Sequence, residues 1–250
     1  ASSGRPDIGL VSGTQMAASA AALAEATTLP VIADADTGYG GVANIAETVR
    51  AYERGGVAAL HLEDQQNPKR CGAMANKALV TDAEMAQRLR AALAARREML
   101  VIGRTDALSL LGLPEAIRRC RQMADAGADA VMVPSLSSLA DIEAVVKASP
   151  VPVVHTVAET VRPLFTQAQL ASTGLGLVLY SITLIQACVQ LQRRILATLH
   201  RDGTTVPFVD AMIPLAQLTA LLGAERHAAF ENRILTGEGK MFCAGGDLAG

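Results

Sequence analysis

The stretch PVIADADTGYGG, residues 30–41, decides the fold because it contains one complete unit of a pattern that the chain repeats. A short apolar run ends in acidic residues and a glycine-containing loop, and an amphipathic segment follows. The same order returns at residues 58–64, AALHLED, and at residues 99–106, MLVIGRTD. Apolar strands that alternate with helices predict a parallel sheet that helices cover.

The pattern predicts six strand–helix units. The predicted strands are Pro30–Asp34, Ala58–Glu63, Met99–Arg104, Ala130–Pro134, Val151–His155 and Leu177–Tyr180. The predicted helices are Ile45–Arg54, Ala83–Arg96, Pro114–Ala126, Leu139–Ala148 and Gln167–Ser172, with mostly helical chain after His200 and a helix over Pro214–Phe230. A (β/α)8 TIM-type barrel needs eight units. Either two units precede Ala1, or the fold is an open doubly wound sheet.

Composition excludes several classes of protein. Half of the 250 residues are hydrophobic, 18% are charged and the net charge is −2, which argues against disorder and against nucleic-acid binding. The four cysteines lie far apart without a CxxC, so we expect neither a zinc site nor a disulfide framework, and we predict a reducing, cytoplasmic compartment. No apolar run reaches the roughly 18 residues that a membrane span needs, so we predict no membrane contact.

Acidic and imidazole side chains follow the first two predicted strands. Asp34 and Asp36 are expected to project together, as are His61 and Glu63, because residues i and i+2 share a strand face. Neighbouring carboxylates repel unless a cation or proton neutralises them, and oxygen ligands favour Mg²⁺ or Mn²⁺. This pattern favours a metal site; the alternatives are an Asp-capped turn and a core histidine.

The loop after the second strand contains Cys71, which follows Lys69 and Arg70. Neighbouring cations favour a thiolate, and a mobile loop that carries a cysteine can close on a substrate and deliver a proton. An incidental surface cysteine is the alternative. Arg104, at the end of the third strand, suits a substrate carboxylate, or a salt bridge to one of the site's own acids.

These segments together resemble the isocitrate lyase / phosphoenolpyruvate mutase superfamily, and most of all its 2-methylisocitrate lyase and 2,3-dimethylmalate lyase branch. The matching motifs, in the family's order, are DADTGYG at 34–40, HLEDQ at 61–65, KRCG at 69–72 and RTDA at 104–107. The resemblance runs from about Pro6 to about Gly203.

The resemblance implies a (β/α)8 barrel that binds Mg²⁺ and cleaves a C–C bond in a 2-hydroxy di- or tricarboxylate. Asp34 matches the direct metal ligand, and Asp36, Glu63 and Asp7 match residues that act largely through metal-bound waters. Arg104 matches the arginine that grips a substrate carboxylate, and Cys71 matches the cysteine that protonates the carbanion. Further substrate contacts are expected from Gly72, His61 and Thr156.

Family members carry two further βα units and a Ser-Gly-rich loop upstream of the matching segment, so we expect roughly fifty upstream residues to complete the eight-unit barrel. We expect residues 1–250 to be one barrel domain, with 201–250 as a C-terminal helical extension. Because relatives exchange a C-terminal helix, this extension is a candidate for exchange within a homo-oligomer, most simply a homotetramer.

Three positions depart from the family pattern. Ala73 stands where the lyases carry histidine, Ser135 where they carry glutamate, and Thr156 begins the segment that usually reads Asn-Ile-Thr-Glu. A lyase with a less anionic substrate fits this pattern, as does a decayed enzyme. The alternatives to a lyase are therefore another superfamily activity (oxaloacetate decarboxylation or hydrolysis, or phosphonomutase-like chemistry) and a non-catalytic keto-acid-binding relative.

Overall fold

The computed structural model describes residues 4–236 of the chain, which divides into two compact units, Ala1–Ala187 and Cys188–Gly250. The first unit begins with helix α1 (Gly13–Ala26) and continues with β1 (Ile32–Asp34), α2 (Val42–Arg54), β2 (Ala59–Glu63), α3 (Asp82–Ala95), β3 (Leu100–Arg104), α4 (Leu108–Leu111), α5 (Leu113–Asp125), β4 (Ala130–Met132), α6 (Leu139–Ala148), β5 (Val153–Val157), α7 (Gln167–Ser172) and β6 (Leu177–Tyr180). Helix α8 (Thr183–Asp202) follows.

The six strands form one parallel sheet in which every strand pairs with its neighbour in sequence, in the order β1-β2-β3-β4-β5-β6. A doubly wound sheet reverses its strand order at a switch point, and this sheet does not, so that alternative is wrong. The sheet is a curled half-barrel, which is consistent with a TIM-type barrel.

Side chains alternate between the two faces of this sheet and form two apolar clusters. Leu60 and Leu62 of β2 belong to the larger cluster, which the helices cover. Ala59 belongs to the smaller cluster, with Ile102, Met132 and Val154 from the next three strands. Because the strand period is two residues, His61 and Glu63 share the face of Ala59.

The helix caps predicted from the sequence are present in part. Thr81 accepts a hydrogen bond from the Glu84 backbone at 3.2 Å, as a capping box requires, but the Glu84 carboxylate pairs with Arg88 instead of returning to Thr81. Only half of the expected box is therefore present. Gly55 caps α2, and Gly127 follows the end of α5 with a φ of 102°, as predicted. Sequence patterning missed α1, in which Ala20 is the one buried residue.

The second unit contains the rest of α8, a 3₁₀ helix (Val206–Ala211), α9 (Leu215–Leu221) and α10 (Ala224–Thr236). The predicted helix over Pro214–Phe230 is therefore interrupted, at Leu222 and Gly223. By length and composition alone, Val206–Arg233 is apolar enough to cross a membrane, with a mean hydropathy of 1.5, although three short helices divide it. Residues 237–250 of the expected extension lie outside the described residues.

Candidate active site

The carboxyl ends of β1, β2 and β3 place four predicted site residues together. In the strand register Asp34 lies opposite His61, and Glu63 lies opposite Arg104. The Asp34 carboxylate is 3.5 Å from His61 Nδ1, and the Glu63 carboxylate is 3.2 Å from Arg104 Nη1. Sheet register thus produces a compact group of acids and bases where a barrel carries its chemistry.

Asp36 reaches this group through a turn and not through the strand alternation that we expected. Strand β1 ends at Asp34, and Asp36 has a φ of 47°, in the left-handed region. Its backbone N–H donates to Asp34 Oδ1 at 2.8 Å, and its carbonyl accepts from the Glu63 N–H at 2.9 Å. Gly38 completes the turn at a φ of 93°, where a Cβ would lie 2.2 Å from Ile45.

The carboxylates of Asp34 and Asp36 have pKa values shifted in opposite directions. Burial and the charge of Asp34 raise the pKa of Asp36 to about 6. Burial alone would also raise the pKa of Asp34, but the charges of nearby His61, Arg104 and Lys69 lower it below its usual value. Burial lowers the pKa of His61, although the charge of Asp34 opposes this shift. Asp34 therefore carries the more persistent negative charge, as a metal ligand should.

Lys69 is a site residue whose position the sequence did not reveal. Its ammonium group, 2% exposed, pairs with the carboxylate of Asp7 and lies 2.5 Å from that of Asp36. Burial favours the neutral amine, but the charges of Asp34, Asp36 and Glu63 prevail and raise the pKa of Lys69. The influence of Lys69 on the Cys71 thiol stays a prediction, and the contacts of its ammonium group with these carboxylates were not expected from the sequence.

Glu63 is the most unusual group of the site. Its side chain is fully buried, and apart from the ion pair with Arg104 neither carboxylate oxygen has a hydrogen-bond partner among residues 4–236. Burial raises the pKa of Glu63 to about 8, although the nearby Arg104 charge opposes this shift. A buried acceptor with no donor costs free energy, so it indicates a place where a cation or another ligand completes the site.

Arg104 pairs with the site's own acids, which was one of the two expectations for it. Its Nη2 lies 3.2 Å from Asp106 Oδ2, while its Nε has no hydrogen-bond partner in the described part of the chain. Asp106 also accepts from Gln65 Nε2 at 3.1 Å and lies 3.6 Å from Lys77 Nζ. Sequence reasoning missed Gln65, Lys77 and the pairing role of Asp106, because their contacts come from distant chain segments.

The loop that carries Cys71 lies over these groups. The Cys71 N–H donates to the Asp7 carbonyl at 2.9 Å, and Lys77 Nζ donates to the Gly72 carbonyl. A Cβ at Gly72 would lie 3.0 Å from both Arg104 Nη2 and Asp106 Oδ1. Gly72, and with it the neighbouring half-buried Cys71, therefore lies next to Arg104 and Asp106.

The later strand ends are more neutral, and the structure does not bring all predicted residues together. The Thr156 hydroxyl of β5 lies 3.5 Å from the Met132 sulfur, and within residues 4–236 its side chain makes no hydrogen bond to the Asp34–Arg104 group. Ser135 has a φ of 67°, an uncommon value for a residue with a side chain. Glu159 accepts from Thr183 with one oxygen, and its other oxygen is buried without a hydrogen-bond partner among the residues that the structure describes.

Comparison with known proteins decides the family. Residues 1–200 match the family model described as phosphoenolpyruvate phosphomutase. The chain belongs to the phosphoenolpyruvate phosphomutase family. It is an enzyme of the isocitrate lyase / phosphoenolpyruvate mutase superfamily, whose relatives are named as lyases, hydrolases and mutases.

Three relatives illustrate this family. The chain is 34% identical over 237 residues to 2,3-dimethylmalate lyase of Eubacterium barkeri, which covers 94% of this chain and 82% of the relative. It is 37% identical over 240 residues to 2-methylisocitrate lyase of Shewanella oneidensis, with 94% and 80% covered. A solved phosphonopyruvate hydrolase in complex with oxalate and Mg²⁺ matches with a TM-score of 0.82 and 34% identity, over 94% of this chain and 83% of the other.

The side chains of this family member fit a hard divalent cation. Asp34, Asp36, Asp7 and Glu63 offer carboxylate oxygens, and no group in residues 4–236 donates a hydrogen bond to the Glu63 carboxylate, whose charged neighbour is Arg104. Within residues 4–236 no three His, Cys, Asp or Glu side chains converge closely enough to hold an ion alone. Mg²⁺ is usually held by one or two carboxylates with water and substrate in the other positions, so this donor set suits it.

Proposed function

We propose that this chain is a Mg²⁺-dependent lyase that cleaves a C–C bond in a 2-hydroxy di- or tricarboxylate of the methylisocitrate or dimethylmalate kind. The observation that carries the proposal is the fully buried carboxylate of Glu63, which lies 3.2 Å from Arg104 but accepts no hydrogen bond from residues 4–236, close to the loop that carries Cys71. The similarity to two lyases over more than nine-tenths of this chain supports it.

The reaction has three steps, namely deprotonation of the hydroxyl, cleavage of the C–C bond and protonation of the leaving carbon, and different residues of the site can serve them. The 2-hydroxyl loses a proton to a carboxylate, a role that the ionised form of Glu63, next to Arg104, can take. The C–C bond then breaks as the alcohol carbon becomes a keto carbon, and the electron pair passes to the leaving carbon. The Cys71 thiol donates the proton that this carbon needs. A keto acid and a second carboxylate are released.

Mg²⁺, or Mn²⁺ in its place, would be held by Asp34, with Asp36, Glu63 and Asp7 beside it. When bound, it supplies the positive charge that stabilises a developing enolate. Lys69 sits between Asp7 and Asp36 and limits the repulsion among these carboxylates. His61, next to Asp34, completes this side of the substrate site.

The substrate carboxylates are proposed to meet Arg104 and the loop. The half-buried side chain of Arg70 has no hydrogen bond or ion pair with the described residues, so it is free to take a carboxylate. Ser135 and Thr156 carry no charge and leave the later strand ends less suited to an anion. We therefore propose that the part of the substrate nearest β4 and β5 is uncharged, which favours a dimethylmalate-like over a tricarboxylate substrate.

Another superfamily activity is the second candidate, because this chain is as similar to phosphonopyruvate hydrolase as to dimethylmalate lyase, at 34% identity in each case. The KRCG segment at 69–72 argues for the lyase, because a proton donor in the loop serves carbanion protonation. A relative that binds a keto acid without turning over any substrate is the third candidate.

Metal removal is expected to abolish the activity. EDTA should reduce keto-acid release to the background rate, because the carboxylate cluster then has no cation with which to stabilise the enolate. Addition of excess Mg²⁺ should restore it, and Mn²⁺ should substitute. Release of keto acid at an unchanged rate after exhaustive dialysis against EDTA would exclude the metal-dependent reaction.

Cysteine labelling tests whether a bound ligand orders the loop that carries Cys71, and it requires no turnover. At pH 8, iodoacetamide should label the exposed Cys188 rapidly and Cys120 not at all, because burial raises the pKa of Cys120 to about 12. Oxalate with Mg²⁺ should slow labelling of the half-buried Cys71 at least about threefold by ordering the loop above the site. The labelling rate of Cys188 serves as the control, and equal labelling of Cys71 with and without oxalate would contradict the proposed site.

The larger assembly follows from the same proposal. We propose that two further strand–helix units close the half-barrel into eight, and that residues 201–250 form an extension that copies of the chain exchange. The second unit exposes large apolar side chains, among them Val206, Leu215 and Leu221, which suit contact with another copy. A homotetramer in the cytoplasm remains our prediction.

A further inference from the structure

A buried polar cluster lies on the far side of the sheet from the candidate active site. Glu63 shares the face of the small apolar cluster, so the next residue, Asp64, turns towards the helices. Asp64 and Thr105 are completely buried, and Arg119 of α5 is 8% exposed. The reaction proposed above uses none of the three, although burying charged groups carries a large desolvation cost.

Asp64 joins the ends of β2 and β3. Its carboxylate accepts from Thr105 Oγ1 at 2.6 Å and from the Asp106 N–H at 3.0 Å, and its own N–H donates to the Arg104 carbonyl at 3.1 Å. The backbone on both sides of Thr105 is therefore fixed relative to Glu63. This is the segment that aims Arg104 and Asp106 at each other.

Arg119 holds Asp64 in place from the helix layer. Its Nη1 donates to Asp64 Oδ2 at 3.0 Å and to the Val80 carbonyl at 3.1 Å. Its Nε donates to Glu115 at 3.0 Å, so the guanidinium is itself oriented. The contacts run from α5 through Asp64 to the turn after β3, without touching the face on which substrate would lie.

We propose that Asp64, held by Arg119, is a positioning residue that acts through Thr105 and the Asp106 backbone to set the Arg104–Asp106 pair. Arg104 is the side chain most sensitive to this device, because its Nη1 lies 3.2 Å from Glu63 and its Nη2 lies 3.2 Å from Asp106. Displacement of a binding group by about 1 Å can cost about a hundredfold in rate. The kinetic part of the inference rests on the proposed function.

Thr105 provides a matched pair of variants. Thr105→Val keeps the shape of the side chain and removes the hydroxyl, whereas Thr105→Ser keeps the hydroxyl and removes a methyl group. If the role is only structural, stability and activity should follow the packed volume, and the valine variant should be the better one. If Asp64 acts by positioning, activity should follow the hydroxyl.

We expect kcat/KM to fall at least about tenfold in Thr105→Val and to stay within about threefold of wild type in Thr105→Ser. Arg119→Met should lose activity as the valine variant does, while Arg118→Met, at the neighbouring half-exposed position, should not. Equal activity of the valine and serine variants, or losses that follow only the melting temperature, would overturn the proposal.

Crystal structures of the two Thr105 variants make the test independent of turnover. The Arg104 guanidinium should leave Asp106 in Thr105→Val and remain 3.2 Å from it in Thr105→Ser. An undisplaced Arg104 in the valine variant would refute the positioning role even if no substrate is turned over. A wild-type enzyme that turns over none of the candidate substrates would instead refute the proposed function, so the two failures are distinguishable.

Discussion

Replacing Cys71 by serine is expected to lower the rate of keto-acid release by about 10²- to 10⁴-fold, the range that a positioned general acid contributes. A serine hydroxyl is a much weaker acid than a thiol and does not deliver its proton to a carbanion at a comparable rate. The loop geometry should survive, because the hydrogen bond that holds this residue comes from its backbone N–H to the Asp7 carbonyl.

Two controls give this prediction its meaning. Cys188→Ser, at an exposed position of α8, should leave the rate unchanged. Binding of oxalate with Mg²⁺ to Cys71→Ser, measured by calorimetry, should stay close to that of wild type, since the carboxylate cluster is intact. Retention of more than about a tenth of the wild-type rate in Cys71→Ser would remove the thiol from the role of proton donor.

Arg104→Met should have the largest effect on stability, because it leaves Glu63 and Asp106 buried without their guanidinium partner. Removing one member of a buried ion pair costs about 3–5 kcal/mol of unfolding free energy. The lower end applies here, because Glu63, whose pKa is raised to about 8, can hold a proton near neutrality. Asp106 also keeps its contacts with Gln65 and Lys77.

A loss of about 3 kcal/mol corresponds to a fall of roughly 10 °C in the melting temperature of a domain of this size. Thermal unfolding followed by circular dichroism measures it, and keto-acid release should fall to the background rate in the same variant. Arg118→Met breaks half-exposed pairs with Asp82 and Glu115 and should change the unfolding free energy by less than about 1 kcal/mol. Equal melting temperatures for the two variants would show that Arg104 does not hold the site together.

The parts of the fold that follow a local rule were predictable from the sequence. Strand β6, α6 and α7 have the predicted ends, since period-two and helical patterning are local properties. The neutral patterning of α1 gave no such signal, and Leu222 and Gly223 interrupt the predicted last helix. Strand order was left open, because local pattern fixes the elements and not which of them pair.

In the candidate site, too, residues placed by local sequence pattern were predictable, whereas contacts between distant chain segments were not. Asp34, His61, Glu63 and Arg104 were identified because each stands at or near a strand end. Lys69 was considered only as a cation next to Cys71 in the sequence, and its contacts with Asp7 and Asp36 were not predicted. Contacts of this kind depend on the path of a long loop, and no spacing in the sequence encodes that path.

The proposed Mg²⁺-dependent lyase activity can be measured by a coupled assay of keto-acid release, with lactate dehydrogenase and NADH, on the full-length protein with Mg²⁺. The candidate substrates are 2,3-dimethylmalate, 2-methylisocitrate, isocitrate, citramalate and oxaloacetate. We predict Mg²⁺-dependent release of keto acid from at least one 2-hydroxy acid, at a higher rate from dimethylmalate than from the tricarboxylates. Release from oxaloacetate alone, or from none of the five while oxalate still binds with Mg²⁺, would contradict it.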